Sequence, residues 1–392
     1  MLTCLVLAAC APARESNLAG TSLPASAQVE RSHTKTPVIP ADPQPEKAVS
    51  GWAVEAVVGG LTVPWSMVFP AENRILIAER GGSIREVIDG EMDAKPLYVV
   101  PDVASADEDG LMGMALDPQY ADNRLLVACY AYLKGNQTFN RVIRLRDEGS
   151  ALAEDGVILE EIPSARYHAG CRTRFGPDGR LYITTGDALM PEAAQDAGSL
   201  AGKILRVNPD GSIPTDNPFP GSPVYSLGHR NPQGLDWHPD TGTLYATEHG
   251  PSGFDGPPGG DEINLIRPGG NYGWPLVSHD DTLEGTQPPL VQFTPAEAPA
   301  SGRFYNGDAL PMFTGDFFFG ALRGEGLVRV RIDPAHPAIV EQVEKIVDDV
   351  GRVRDVAVGP DGLIYFTTSN MDGRGTPKDG DDHLYRIVPV YE

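Results

Sequence analysis

The chain has 392 residues, 44 of them glycine and 36 proline, with 22% charged and 7% aromatic side chains, which suits a turn-rich all-β protein better than a helical one. Its formal net charge of −23 disfavours nucleic acid and anionic membrane surfaces as partners, because both repel such a chain unless a local basic patch intervenes, and no basic run occurs. A neutral substrate or a bound cation suits this field better.

At the N-terminus, MLTCLVLAACAPARES carries a short apolar run ending in Leu7-Ala8-Ala9-Cys10. It resembles the lipobox of bacterial lipoprotein signals, so residues 1–10 are expected to act as a signal and Cys10 to become the lipidated first residue. Residues 11–49, rich in Ala, Ser, Thr and Pro, read as a flexible tether. The expected location is the periplasm or cell envelope, with the membrane touched only through that lipid; no other segment approaches the apolar length of a membrane span. Cys4 and Cys10 belong to the signal. Cys129 and Cys171 fall in strand regions, and the sequence leaves open whether they form a bridge or remain two buried thiols.

From residue 50 onward one pattern recurs: an apolar pair, a Pro/Asp/Gly turn, a run such as Leu-Tyr-Ile-Thr-Thr, then a second turn and an alternating strand. It starts at Met67 (MVFPAENRILIAERGGSIREV), Ala115, Arg174 (RFGPDGRLYITTGDA) and Leu235 (LDWHPDTGTLYATEHG), more loosely at Met312, and finally at Val356 (VAVGPDGLIYFTTSN). Six copies rich in short strands predict a six-bladed β-propeller over residues 50–392, each blade a four-stranded antiparallel sheet. A solenoid calls for more uniform repeats, and an α/β barrel for an amphipathic helix after each strand. The stretches 187–223 and 275–311 read as insertions over the mouth of the channel.

The chemistry concentrates in residues 224–275, where glycines and prolines break the chain into short strands and tight turns. Gly228-His229-Arg230-Asn231-Pro232-Gln233-Gly234 packs polar side chains against residues that restrict the backbone, as a preorganised donor array requires. Gly250, Pro251, Asp261, Glu262 and Tyr272 supply oxygens of the kind a hard cation such as Ca²⁺ accepts, although an Asx-rich hydrogen-bonded turn has the same composition. Outside this stretch, His168 precedes one strand and Asp187 follows the next. A tight turn between those strands brings their outer ends together, the arrangement of a general base and its orienting carboxylate. Arg323, Arg352 and Arg354 stand near strand ends in the last two repeats and together suit an anionic ligand, while singly each reads as a salt-bridging residue.

The stretches LTVPWSMVF, GLMGMALDP, HAGCRTRFGPDGRLYITTGD, GKILRVNPDGS, GHRNPQGL, EHGPSG, DEINLIRPGGNYGWP, FFGALRGEGLVRV and RVRDVAVGPDG occur in this order. Together they resemble the soluble pyrroloquinoline-quinone-dependent sugar dehydrogenases, the glucose/sorbosone and aldose dehydrogenase family, across residues 52–389. The resemblance implies a six-bladed propeller that oxidises the anomeric hydroxyl of an aldose to a lactone and passes electrons to an external acceptor. It implies His168 as catalytic base, Asp187 as its orienting carboxylate, Arg230 and Asn231 as cofactor contacts with Arg230 polarising the quinone, and Arg323, Arg352 and Arg354 as further cofactor contacts. Gly250 and Pro251 match carbonyls that hold the cofactor's Ca²⁺, and Glu262 and Tyr272 match calcium positions in the aldose dehydrogenase branch. Glu108 stands where cofactor-binding members usually carry Gln and adds a negative charge there; no Trp stands just before PAEAPASG, where the family leads one to expect it. A cofactor-free propeller that binds a glycan or protein, and a calcium-dependent lactonase, are the alternative readings.

Overall fold

The computed structural model describes residues 48–392; the lipobox-like segment and all but the last two residues of the expected tether lie outside the described residues. Blade 3 shows how the repeat folds. Thr173–Phe175 leads into a turn at Pro177-Asp178-Gly179, in which Gly179 takes φ +70° and donates its amide to Gly176 at 2.9 Å. The Asp178 carboxylate accepts the Arg180 amide at 3.0 Å, and the chain reverses into Leu181–Thr185. Only glycine adopts that φ without strain, and aspartate closes the turn on its own backbone, which is why this tripeptide marks the repeat. The same turn recurs at Gly359–Gly362, with Asp361 in the capping role. Lys203–Val207 and Val224–Leu227 complete blade 3.

Blade 1 is Pro64–Ala71, Arg74–Glu79 and Ser83–Ile88, edged by the short strands Glu91–Met92 and Tyr98–Val99. Blade 2 is Leu111–Leu116, Leu125–Lys134, Gln137–Asp147 and Leu152–Pro163; blade 4 is Pro232–Trp237, Leu244–Glu248, Asp261–Ile266 and Val291–Phe293. Blade 5 is Pro299–Phe304, Phe317–Ala321, Gly326–Ile332 and Val340–Val347. Blade 6 is Val353–Val358, Ile364–Thr368 and Leu384–Tyr391, and its outermost strand is Val49–Val58 from the start of the described chain. The first strands of the blades touch in cyclic order, the last against the first, so the sheets close into a six-bladed propeller.

The core is correspondingly divided. Six apolar clusters fill the six junctions between neighbouring blades, for example Tyr245, Ile263, Phe304, Phe317 and Phe319 between blades 4 and 5. Each blade is apolar on both faces and is held by two neighbours, so closure by the N-terminal strand stabilises every junction at once. The expected insertions are partly blade: 187–223 contains Lys203–Val207, and 275–311 contains Val291–Phe293 and Pro299–Phe304. Their flanking Gly, Pro and Asp residues read as loop, whereas the strands between them are held by pairing with neighbours that local composition does not show.

Cys129 and Cys171 form a disulfide with a Cα–Cα separation of 5.8 Å, both residues fully buried, tying blade 2 to the segment that enters blade 3. The bridge spans 42 residues. Closing a loop of this length removes unfolded-state entropy worth about 3–4 kcal/mol. The double variant Cys129→Ser, Cys171→Ser is therefore expected to unfold at a clearly lower urea concentration, as read by tryptophan emission.

Candidate active site

The loops that join one blade to the next, and the loops that join second to third strands, emerge on one face of the ring and surround a cavity of about 310 Å³. Glu108, His168, Arg230 and Arg352 come from loops between blades; His249, Gly250, Pro251, Arg323 and Arg374 come from second-to-third strand loops; Gln233 and Arg354 come from first strands.

His168 and Asp187 meet as their strands predict. The Asp187 carboxylate is fully buried, and its Oδ1 lies 2.7 Å from His168 Nδ1 while also accepting the Leu189 amide at 2.9 Å. Its Oδ2 accepts Trp274 Nε1 at 2.8 Å. With donors on both oxygens the carboxylate acts as acceptor only, so the shared proton belongs on His168 Nδ1 and the second ring nitrogen, Nε2, is left with its lone pair. The backbone that presents His168 is tight: a Cβ on Gly186 would stand 1.8 Å from the His168 carbonyl oxygen, and His168 itself takes φ +55°. No side chain larger than glycine's fits at Gly186.

Glu108 is not a free negative charge. Its carboxylate accepts the His168 amide at 3.0 Å and pairs with Arg374 at 2.8 Å, joining loops 266 residues apart. Burial alone would raise this carboxyl, but the positive charge of His249 and Arg374 together with the two hydrogen bonds holds it at about 2. Burial also pushes the His249 imidazole down to about 3, so at neutral pH that ring is uncharged and Arg374 is the standing counterion.

Arg230 is anchored on its outer side, with Nε on Asp255 at 2.7 Å, Nη2 on Ser252 Oγ at 3.1 Å and Nη1 on the His249 carbonyl at 3.2 Å. Behind it, Glu248 accepts the Arg230 amide and bonds His229 Nδ1 at 2.8 Å, so a second, fully buried His–carboxylate pair fixes the segment without facing the cavity. Asn231 accepts the Gly170 amide at 3.1 Å, and its Nδ2 is buried with no partner. Arg352 is saturated by Asp372 and the Leu322 carbonyl, whereas Arg354 gives Nη1 to Gln233 Oε1 at 2.7 Å and keeps a buried Nε without a partner. Arg323 is exposed at the rim.

The five cation candidates fall in two places. Gly250, Pro251 and Asp261 line the channel cavity, but Glu262 and Tyr272 line a separate space of about 30 Å³. Asp261 and Glu262 are neighbours in one strand and therefore point to opposite faces. Asp261 uses both oxygens on the Gly250 and Ala298 amides, at 2.8 and 2.6 Å, and the Tyr272 hydroxyl donates to the Leu265 carbonyl while accepting the Arg267 amide. Burial and the Glu248 charge push the Glu262 carboxyl up to about 8. Among the described residues no group of three His, Cys, Asp or Glu side chains is placed to hold a metal ion.

Sequence reasoning passed over two wall residues, His249, whose Nε2 is buried without a partner, and Arg374, and also Phe254, which is 67% exposed and stacks on the His168 ring at 5.9 Å and 22°. Gln233 was visible within the Arg-Asn-Pro-Gln-Gly motif. Because the folded-state value of His249 lies below the ordinary 6.5, the stability gained by keeping the ring neutral is complete above 6.5 and is lost as pH falls toward 3. The melting temperature is expected to drop several degrees between pH 7 and 4, and less so in His249→Gln.

Comparison with known proteins agrees with this geometry. The family model described as Glucose / Sorbosone dehydrogenase matches residues 61–386. Aldose sugar dehydrogenase YliI of Escherichia coli is 31% identical, covering 82% of this chain and 91% of the relative, and quinoprotein glucose dehydrogenase B of Acinetobacter calcoaceticus is 28% identical over 83% and 87%. The PQQ-bound form of aldose sugar dehydrogenase from Streptomyces coelicolor superposes with a TM-score of 0.75 at 35% identity, covering 87% of this chain and 99% of that one. With the propeller, the buried His168–Asp187 pair and a match running through all six blades, the chain belongs to the glucose/sorbosone dehydrogenase family.

Proposed function

We propose that the chain oxidises the anomeric hydroxyl of an aldose to the lactone, with pyrroloquinoline quinone held in the arginine-lined cavity and an external acceptor taking the electrons away. The observation that carries this reading is the buried His168–Asp187 pair, 2.7 Å apart, in the wall of a cavity lined by five arginines. The wall fits a planar polycarboxylate. Arg354 Nε, Asn231 Nδ2 and His249 Nε2 are buried donors or acceptors at or beside it without protein partners, and such groups are costly unless a ligand meets them.

Arg354 and Asn231 would grip the cofactor's carboxylate and carbonyl oxygens, and Arg230, pinned by Asp255 and Ser252, would present a fixed positive charge beside them. Bound there, pyrroloquinoline quinone would supply the two-electron acceptor for the hydrogen on the anomeric carbon. His168 accepts the hydroxyl proton on Nε2, and Asp187 stabilises the imidazolium so formed. Glu108 fixes the His168 backbone from one side and Gly186 from the other, so the base needs no rearrangement to meet its substrate. Gly250 and Pro251 would offer backbone carbonyls to a cation beside the cofactor.

The test is a titration of the Ca²⁺-equilibrated protein with pyrroloquinoline quinone, followed by addition of glucose and other aldoses while absorbance is recorded. Saturable binding and sugar-dependent bleaching support the reading; absence of binding together with absence of turnover removes it.

Phe254 extends it to the sugar. An exposed ring stacked on the base offers its free face to the C–H side of a pyranose. Phe254→Ala is expected to raise KM for the preferred aldose about tenfold with kcat little changed, a loss of roughly 1.4 kcal/mol of binding. Phe254→Trp should keep KM low.

A further inference from the structure

The channel carries a second set of arginines at its other end. Two adjoining cavities, of about 300 and 440 Å³, share Phe69, Arg174 and Arg303 in their walls and lie where the first strands of the blades finish, on the face away from His168. They have no wall residue in common with the cavity described above.

Charge there is unbalanced. Arg172 donates to Asp355 at 3.0 Å, and the other oxygen of Asp355 accepts the Met67 amide. Arg174 and Arg303 have a single carboxylate between them, with Nη2 of Arg174 at 3.0 Å from one oxygen of Asp236 and Nη1 of Arg303 at 4.0 Å from the other. Those oxygens already accept the amides of Trp237 and Phe304, each at 2.8 Å, so Asp236 is engaged in holding blade 4 to blade 5. Arg303 Nε is buried without a partner, and so is Oγ1 of Thr173, a residue only 2% exposed in the adjoining wall. Three guanidiniums thus face two carboxylates in a half-open space, inside a chain whose net charge is −23. An overall field that repels anions makes a local cationic chamber with spare donors a selective place for one.

We infer that this lower chamber binds a small oxyanion, a carboxylate or a phosphate, held between Arg174 and Arg303. Two guanidiniums aimed at one space match the paired oxygens of such groups, and the rings of Phe69 and Trp237 in the same walls leave room for an apolar body behind a carboxylate. The site needs neither quinone nor sugar, so it stands or falls independently of the proposed reaction.

The experiment is isothermal titration of the full chain at constant ionic strength with sodium phosphate and, separately, with sodium benzoate. One saturable site is expected for at least one anion, weakened at least tenfold in Arg303→Gln and Arg174→Gln, kept in Arg303→Lys, and unchanged in Arg323→Gln at the opposite mouth. Stronger phosphate binding assigns a phosphate-bearing ligand; stronger benzoate binding assigns an organic acid that uses the aromatic walls. No saturable heat from either anion overturns the inference, as does binding that survives Arg303→Gln but falls in Arg323→Gln. Should Arg303→Gln fail to fold, the emission of Trp237 in the wild-type chain, isolated by difference from Trp237→Phe, reports on the same chamber. A shift that saturates with the anion supports the site, and unchanged emission at saturating anion counts against it.

Discussion

Replacing His168 by alanine is expected to lower sugar-dependent turnover by about 10²–10⁴-fold, the usual worth of a positioned general base, while quinone affinity changes little. The expectation rests on geometry specific to this ring. Asp187 accepts from Trp274 and Leu189 as well as facing His168 Nδ1, so the carboxylate stays fixed when the imidazole is removed, and the change acts on the chemical step rather than on the fold. His168 is almost fully buried, but its main contacts beyond Asp187 are the Phe254 ring and its own backbone bond to Glu108, which alanine keeps. Asp187→Asn should cost about as much, because an amide nitrogen turned to Nδ1 reverses the tautomer and takes the lone pair from Nε2, and the imidazolium loses its counter-charge as well. Turnover in His168→Ala within tenfold of wild type would show that another group takes the proton.

The fold was legible because its punctuation is local. Asp178-Gly179 and Asp361-Gly362 close their turns with their own side chains and left-handed glycines, so six repeats can be counted without knowing which strands pair. The His168–Asp187 pair was legible for the same reason: one tight turn separates the strands that bear it. What depends on distant pairing was not. Strand Lys203–Val207 hides among turn residues, and the compensation of Glu108 by Arg374 joins loops 266 residues apart, so that a lone acidic substitution in the sequence is a neutralised pair in the fold. The cation candidates separate for the opposite reason. They are close along the chain, but strand alternation sends Asp261 toward Gly250 and Ala298, and Glu262 toward Asn264 and the Glu248 carboxylate.

Arg352 and Arg354 look equivalent in the sequence, yet they are expected to answer truncation differently, and the difference tests the cofactor site most sharply. Arg352 donates to Asp372 through Nε and Nη2, at 2.9 and 2.7 Å, and to the Leu322 carbonyl at 2.6 Å, so Arg352→Ala leaves Asp372 with two backbone amides and Arg354 at 3.9 Å as its remaining ion-pair partner, and loosens the rim between blades 5 and 6. Its main signature is a lower melting temperature. Arg354 is 5% exposed, shares only Gln233 Oε1 at short range, and lies 5.8 Å from the Trp65 ring. Burial pushes its guanidinium down to about 9, which marks the cation as underpaid in this wall until an anion arrives. Arg354→Ala should therefore weaken quinone binding about 10²-fold, or roughly 2.7 kcal/mol, with little loss and even some gain in the stability of the protein alone. Arg354→Lys should recover part of the affinity, since it restores the charge without the planar fork. Equal losses of affinity and stability in both alanine variants would mean that Arg354 is a structural ion like Arg352, and the grip on the cofactor would then fall to Arg230, Asn231 and the exposed Arg323.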